Sequence, residues 1–233
     1  MPDYLKIYPT LVTEGTRLHG MWELGNYAPL EVLEAVELIA KIKALLPKWV
    51  RLQRIQRDIP AYQVLAGIRK SNIRQLANQR LREMGGKCRC IRCREVGHRE
   101  LSGIKPENIE LMVEKYRACG GMEHFISFED AGRDILIGFL RLRFPATHHR
   151  RELEGTALVR ELHVYGSMVV PGEDAGESQW QHKGYGEVLL TQAEETARIA
   201  GYDKIAVTSG IGVRDYYRKF GYERDGPYMT KRL

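Results

Sequence analysis

Between a strand-like run, Ala157 to Val170, and a helix-like run, Glu187 to Ala200, stands Gln181-His182-Lys183-Gly184-Tyr185-Gly186-Glu187. The glycines at 184 and 186 fall where a helix would begin. A helix N-terminus presents backbone N–H groups without intrahelical partners and a partial positive charge. Glycine lets a phosphate reach those groups with no Cβ in the way. The spacing is neither G-x-G-x-x-G nor a P-loop, because no Gly-Lys-Ser/Thr follows. Strand, Q-x-x-G-x-G and helix therefore read as a pyrophosphate cradle. A plain glycine turn ahead of a helix is the competing reading.

A second group of residues could hold a metal. Cys88, Cys90 and Cys93 give C-x-C-x2-C, with His98 five residues on. Soft thiolates favour zinc or an iron–sulfur cluster. The surrounding arginines would offset the negative charge of a tetrahedral Cys3His zinc site. Three unrelated thiols in a basic loop is the alternative, and His98 is the least constrained of the four. Cys119 stands apart and reads as a buried thiol. His148 and His149 read as solvated loop residues. Glu161, a carboxylate on a strand, could act as a general base. A salt bridge with Arg160 or another neighbour is the favoured reading of it.

Charge is unevenly placed. From Lys48 to Arg99 fourteen Lys/Arg stand against three Asp/Glu, a net +11, so the +6 of the whole chain leaves −5 for the rest. A basic block beside an acidic remainder suggests a polyanion partner. A solvated basic face would look the same by charge alone.

The elements that must position these groups can be read in order. Leu5 to Val12 is a short strand and Gly15 to Gly25 a turn-rich loop holding Trp22. Pro29 to Leu46 is an amphipathic helix on Leu30, Leu33, Val36, Leu38, Ile39, Ile42 and Leu46. Trp49 to Ile55 alternates as a strand, and Ile73 to Met84 is a helix closed by Gly85-Gly86. Strand–helix–strand–helix is α/β grammar. About 85 residues cannot close an eight-stranded barrel, which needs roughly 200. After the cysteines, Lys105 to Tyr116 reads as a helix, and Met122–Glu129 and Asp134–Arg143 as strands. Thr156 to Val170 is a long central strand, followed by a polar excursion from Pro171 to Trp180. Lys204 to Thr208 is a buried strand, Arg214 to Phe220 a short helix, and Tyr222 to Leu233 a closing strand or hairpin. With 233 residues and 43% hydrophobic content, the chain can hold one large or two modest domains. No apolar run reaches the ~18 residues of a membrane span. The N-terminus shows no signal peptide, so a cytoplasmic protein with no membrane partner is expected.

The Q-x-x-G-x-G loop resembles the acyl-CoA loop of the GCN5-related N-acetyltransferases. In that fold a Tyr precedes the Gly of a terminal Gly-Phe/Tyr pair by four residues, which is Tyr217 here. Its bland reading is a packed core tyrosine. Over the whole chain, the runs LKIYPTLV, QRDIP, REVGH, DILIGFLRLR, VRELHVYG, QHKGYG and YYRKFGY resemble the catalytic subunit of the Elongator complex in an archaeal or bacterial version. The resemblance implies an α/β chain in three parts. Residues 1–86 would be the tail of a radical S-adenosylmethionine barrel. Residues 87–104 would be a zinc-binding linker, and residues 105–233 an acetyltransferase domain with a mixed sheet flanked by helices. It further implies acetyl-CoA and transfer RNA as partners, and modification of a wobble uridine to a 5-carboxymethyl form.

Carried over by position, the acyl-CoA loop falls on Gln181, Lys183, Gly184, Tyr185, Gly186 and Glu187. The strand that receives the pantetheine falls near His163, Val164 and Tyr165. Tyr216 and Tyr217 match the paired tyrosines near the thioester. RNA would be met by Arg51, Arg54, Arg57, Arg69, Lys70, Arg74, Lys87, Arg89, Arg92 and Arg94. The cysteines of the radical domain's [4Fe–4S] motif are absent. That cluster, S-adenosylmethionine and the radical half-reaction are therefore expected only of a full-length form. A protein lysine acetyltransferase and a non-enzymatic RNA-binding fragment are the competing functions.

Overall fold

A computed structural model describes residues 2–55, 58–166 and 184–233. They form two compact units, Pro2–Cys93 and Arg94–Leu233. The division falls inside the 87–104 segment.

The first unit contains β1 (Tyr4–Ile7), β2 (Val12–Thr13), α1 (Arg17–Glu23), α2 (Val32–Leu45), β3 (Arg51–Ile55), β4 (Val64–Ala66) and α3 (Ile73–Glu83); α4 (Ile91–Arg94) begins in it. β1 pairs in parallel with β3, and β2 antiparallel with β4. The expected strand from Leu5 to Val12 is thus two strands, and the expected loop from Gly15 to Gly25 carries α1. Thr16 caps that helix, accepting from the His19 N–H at 3.1 Å. On α2 the buried positions are Ala35, Val36, Ile39, Ala40 and Lys43. Leu33 and Leu38, expected on that face, are 82% and 50% exposed. The core joins α2 to Leu52, Ile55, Ile68, Ile73, Ala77 and Cys90.

The second unit contains α5 (Val96–Glu100), β5 (Glu110–Ala118), β6 (Gly121–Asp130), β7 (Ile135–Phe144), β8 (Thr156–Val164), α6 (Tyr185–Ile199), β9 (Lys204–Val207), α7 (Arg214–Arg218), β10 (Glu223–Asp225) and β11 (Tyr228–Arg232). One seven-stranded sheet runs β10-β11-β9-β8-β7-β6-β5, antiparallel except for β8 against β9. The helix expected from Lys105 to Tyr116 is replaced by β5, which pairs with β6 along nine residues, from Glu110↔Glu129 to Ala118↔Gly121. Its side chains alternate in exposure, the period of a strand with one covered face. α6 covers the other side of the central strands. Leu189, Leu190, Ala193 and Ala197 pack with Leu140, Leu142, Val159 and Val207. Full burial of each leucine contributes roughly 1.5–3 kcal/mol. Cys119, expected to be buried, is exposed at the β5–β6 turn with φ 46°.

Candidate active site and cysteine cluster

The parallel pair β8 and β9 opens partway along. Their pairing runs from Thr156↔Lys204 to Val159↔Val207 and is followed by one bond, Thr208 N–H to the Val159 carbonyl at 2.9 Å. There β9 ends, while β8 continues along β7 to Val164↔Gly138. A bulge marks the parting: Arg141 faces Glu161 and Leu142 faces Val159, so Arg160 is the extra residue. Bulges bend a strand and are common beside active sites. His163, Val164 and Tyr165 lie past the parting, with the Tyr165 N–H on the Ile137 carbonyl at 2.8 Å.

The N-terminus of α6 comes to this strand end. Gly184 has φ 77°, a conformation that glycine adopts without a Cβ penalty. Its carbonyl accepts from the N–H groups of Glu187 at 3.1 Å and Val188 at 3.2 Å, closing the first turn. A Cβ built on Gly186 would lie 2.6 Å from the Tyr216 hydroxyl and 3.8 Å from Val164 Cγ2. Strand end, helix start and the tyrosine of α7 therefore meet at Gly186. Gln181, Lys183 and the stretch 167–183 that holds them lie outside the described residues, as does Arg57.

The two tyrosines differ. Tyr217 is buried, and burial pushes its phenol up to about 12. Tyr216 is half-buried and raised by burial and then by the Glu187 carboxylate. Their rings meet edge-on at 5.3 Å, and Tyr216 also meets Phe220 edge-on at 5.0 Å. Behind them Tyr222 packs on Tyr217 at 5.9 Å and donates to Glu194 at 2.9 Å; Lys231 closes that carboxylate at 2.8 Å. Glu161 takes the Arg141 Nε at 2.9 Å, and the buried Arg141 lies against the rings of both Phe125 and Phe139. Its partner is thus Arg141 rather than Arg160, which turns to Glu123 at 2.9 Å. A cavity of about 640 Å³ adjoins the end of β8, lined by Glu95, His98, Lys105 and Tyr165 among others.

In the first unit the Sγ atoms of Cys88, Cys90 and Cys93 all lie within 4.8 Å of one another. Cys90 is buried and the other two are half-buried. Hydrogen bonds from Cys88 and Cys93 push the Cys90 thiol down; the bond with Cys90 pushes Cys88 up, and the bonds with Cys88 and Cys90 push Cys93 up. Three thiols at this spacing fit a metal ion. That group does not include His98, expected as the fourth ligand, whose Nε2 lies 2.9 Å from Glu95 Oε1 in the second unit. Lys43, which sequence reasoning passed over, donates to Cys93 Sγ at 3.6 Å. The signal for it was a lone charge on the apolar stripe of α2.

Of the basic residues, Arg54, Arg69, Lys70 and Lys87 are exposed, and Arg51, Arg74, Arg89 and Arg92 are half-buried. The three segments that carry them adjoin at β3. Arg74 donates to the Leu52 and Gln53 carbonyls at 3.1 and 3.2 Å, and the Ile91 N–H donates to the Val50 carbonyl at 3.0 Å. Arg94 leaves this set. Its side chain is 1% exposed and paired with Glu129 at 2.7 Å, so it cannot meet a phosphate in solvent. Tyr62 is 83% exposed in the same unit, an aromatic face that sequence reading had not expected there.

Residues 97–222, more than half of the chain, match the Acetyltransferase (GNAT) family, and the chain belongs to that family. Residues 2–83 match the Radical_SAM C-terminal domain. The whole chain is similar to the tRNA uridine(34) acetyltransferase of Methanocaldococcus jannaschii, 53% identical over 237 residues that cover 100% of this chain and 44% of that protein. Elongator complex protein 3 of Saccharomyces cerevisiae is 47% identical over 237 residues, covering 99% of this chain and 42% of its own. The solved archaeal Methanocaldococcus infernus Elp3 with an N-terminus deletion (1-46) superposes with a TM-score of 0.94 at 51% identity, over 100% of this chain and 56% of that one. The chain spans less than half the length of the curated relatives it matches. No helix among the described residues is long and apolar enough to cross a membrane.

Proposed function

We propose that this chain is the acetyl-CoA-binding, acyl-transferring module of an enzyme that carboxymethylates the wobble uridine of transfer RNA. The observation that carries the reading is the meeting of the β8 end, Gly186 and Tyr216 at one point. Acetyl-CoA supplies the acyl thioester. The start of α6, with Gly184, Tyr185, Gly186 and Glu187, holds its pyrophosphate through backbone N–H groups and the helix dipole. The backbone of His163, Val164 and Tyr165 aligns the pantetheine where β9 no longer pairs. Tyr216 and Tyr217 stand at the thioester end. Both phenols keep their protons at neutral pH, so they position the thioester and donate hydrogen bonds rather than act as bases. Glu161 serves chiefly as the counter-ion of Arg141.

Zinc fits the cysteine cluster best, because its sites are built from closely spaced thiolates. Transfer RNA would lie along the basic residues gathered at β3. The reading is tested by acetyl-CoA hydrolysis with and without transfer RNA, beside acetyl transfer to a histone-type peptide. RNA-stimulated hydrolysis supports it. Transfer to the peptide without any RNA effect would favour a protein lysine acetyltransferase.

A further inference from the structure

The stripe that α2 presents to the core runs Ala35, Val36, Ile39, Ala40 and then Lys43, which has 0% exposure. Lysine is almost never fully buried without a charged partner, because desolvating the ammonium is costly. Its Nζ donates to Cys93 Sγ at 3.6 Å, across fifty residues of sequence. Lys43 lies in the last turn of α2, where the helix dipole favours a cation, but that effect does not require the cation to be fully buried.

We propose that Lys43 is a positioning residue for a metal bound by Cys88, Cys90 and Cys93: it orients the Cys93 sulfur and, from the buried side, adds to the positive charge that Arg74 already places near the three cysteines. The inference rests on the metal reading given above. Three thiolates and one divalent cation leave one negative charge when the fourth ligand is neutral. The Lys43 ammonium is the fully buried cation that faces that charge, while Arg74 acts on it from a half-buried position. Leaving such a charge buried and unmatched would strongly destabilise the site. Groups that hydrogen-bond a metal's ligands from behind fix their orientation and raise affinity. Lys43 also ties α2 to the cysteine loop, so the metal would fasten this helix and the loop together.

The test uses the full chain carrying Lys43→Met, which keeps the stem, and separately Lys43→Gln, which keeps a donor without charge. Val12→Ala, a cavity elsewhere in the same unit, controls for general loosening. Zinc affinity is read by competition with a chromophoric chelator. Cobalt(II) substituted for zinc reports the thiolate ligands through its charge-transfer absorption. Both Lys43 variants are expected to bind zinc about 10- to 100-fold more weakly and to lose thiolate-to-cobalt intensity, whereas Val12→Ala binds as the parent does. Far-UV circular dichroism shows which variants fold, and either one suffices. A folded neutral variant with parental affinity and cobalt spectrum overturns the role of Lys43. A parent chain that takes up no stoichiometric zinc or cobalt overturns the metal reading itself, and this inference with it.

Discussion

Replacing Gly186 with alanine should separate the geometry of the acyl site from the stability of the fold. The new Cβ would stand 2.6 Å from the Tyr216 hydroxyl, about 0.8 Å short of the 3.4 Å at which ordinary contact begins. Tyr216 cannot simply swing aside, because Tyr217 and Phe220 hold its ring edge-on. The hydroxyl and the helix start must therefore move apart by most of that distance. Misplacing a reacting group by about 1 Å can reduce turnover about 100-fold. A 10- to 100-fold loss of acetyl-CoA hydrolysis is expected, at about the scale of that effect. Stability should fall by no more than about 2 kcal/mol. Alanine gains up to about 1 kcal/mol over glycine in a helix, and the overpacking removes about 1–3 kcal/mol.

Gly184→Ala should weaken acetyl-CoA binding as well, but through the backbone and the phosphate approach rather than through Tyr216. No atom lies within 4 Å of a Cβ there, but φ is 77°. The left-handed backbone costs about 1–2 kcal/mol for a non-glycine residue, without any contact on Tyr216. Thermal melts and calorimetric titration with acetyl-CoA read the two quantities separately. Removing the hydroxyl relieves the clash, so Gly186→Ala combined with Tyr216→Phe should bind better than Gly186→Ala alone. Coupling energies between touching residues run from about 0.5 to 3 kcal/mol. If Gly186→Ala binds and hydrolyses acetyl-CoA like the parent, the site has been put in the wrong place.

Three further outcomes are expected. Burial holds the Tyr217 phenol near 12 against an ordinary 10.0. The folded state thus keeps a proton that the unfolded state releases, and stability declines as pH rises from 10 towards 12; alkaline denaturation of Tyr217→Phe should lack about 2–3 kcal/mol of that decline. Removing bound metal with a chelator, or replacing the buried Cys90 with serine, should lower the melting temperature and release one zinc per chain, which elemental analysis would show to be wrong if none is found. Neutralising Arg51, Arg54 and Arg57 together should weaken transfer RNA binding and flatten its salt dependence by about 0.7–0.9 in log–log slope for each phosphate that is no longer neutralised. Filter binding over a salt series that shows the parental slope in this variant would reduce the block to a solvated face.

The start of α6 was legible because its requirement is local: a glycine just ahead of a helical run suits the left-handed turn that Gly184 adopts. What failed was whatever depends on direction or on distant pairing. Lys105-Pro106 and the Glu, Leu, Met and Lys that follow are good helix material. The strand won because β6 offers a full nine-residue ladder, and tertiary pairing outweighs a propensity difference of a few tenths of a kcal/mol per residue. Leu33 and Leu38 fit a helical stripe by spacing, yet the face that turns inward is carried by the smaller Ala35 and Ala40. Arg94 shows the same limit for charge. Composition counts it in the basic block, but it falls where the chain leaves the cysteine loop, and its side chain turns inward to Glu129. That carboxylate is also held by the Ser127 hydroxyl at 2.9 Å. Arg94→Gln would leave Glu129 buried beside a neutral amide, and breaking a buried ion pair costs about 3–5 kcal/mol. A surface phosphate ligand would instead lower RNA affinity and leave the melt unchanged. Arg94→Gln should therefore melt early, and where it remains folded it should keep the parental salt slope for RNA. A variant that melts like the parent and loses RNA binding would return Arg94 to the RNA surface and refute its assignment to the core.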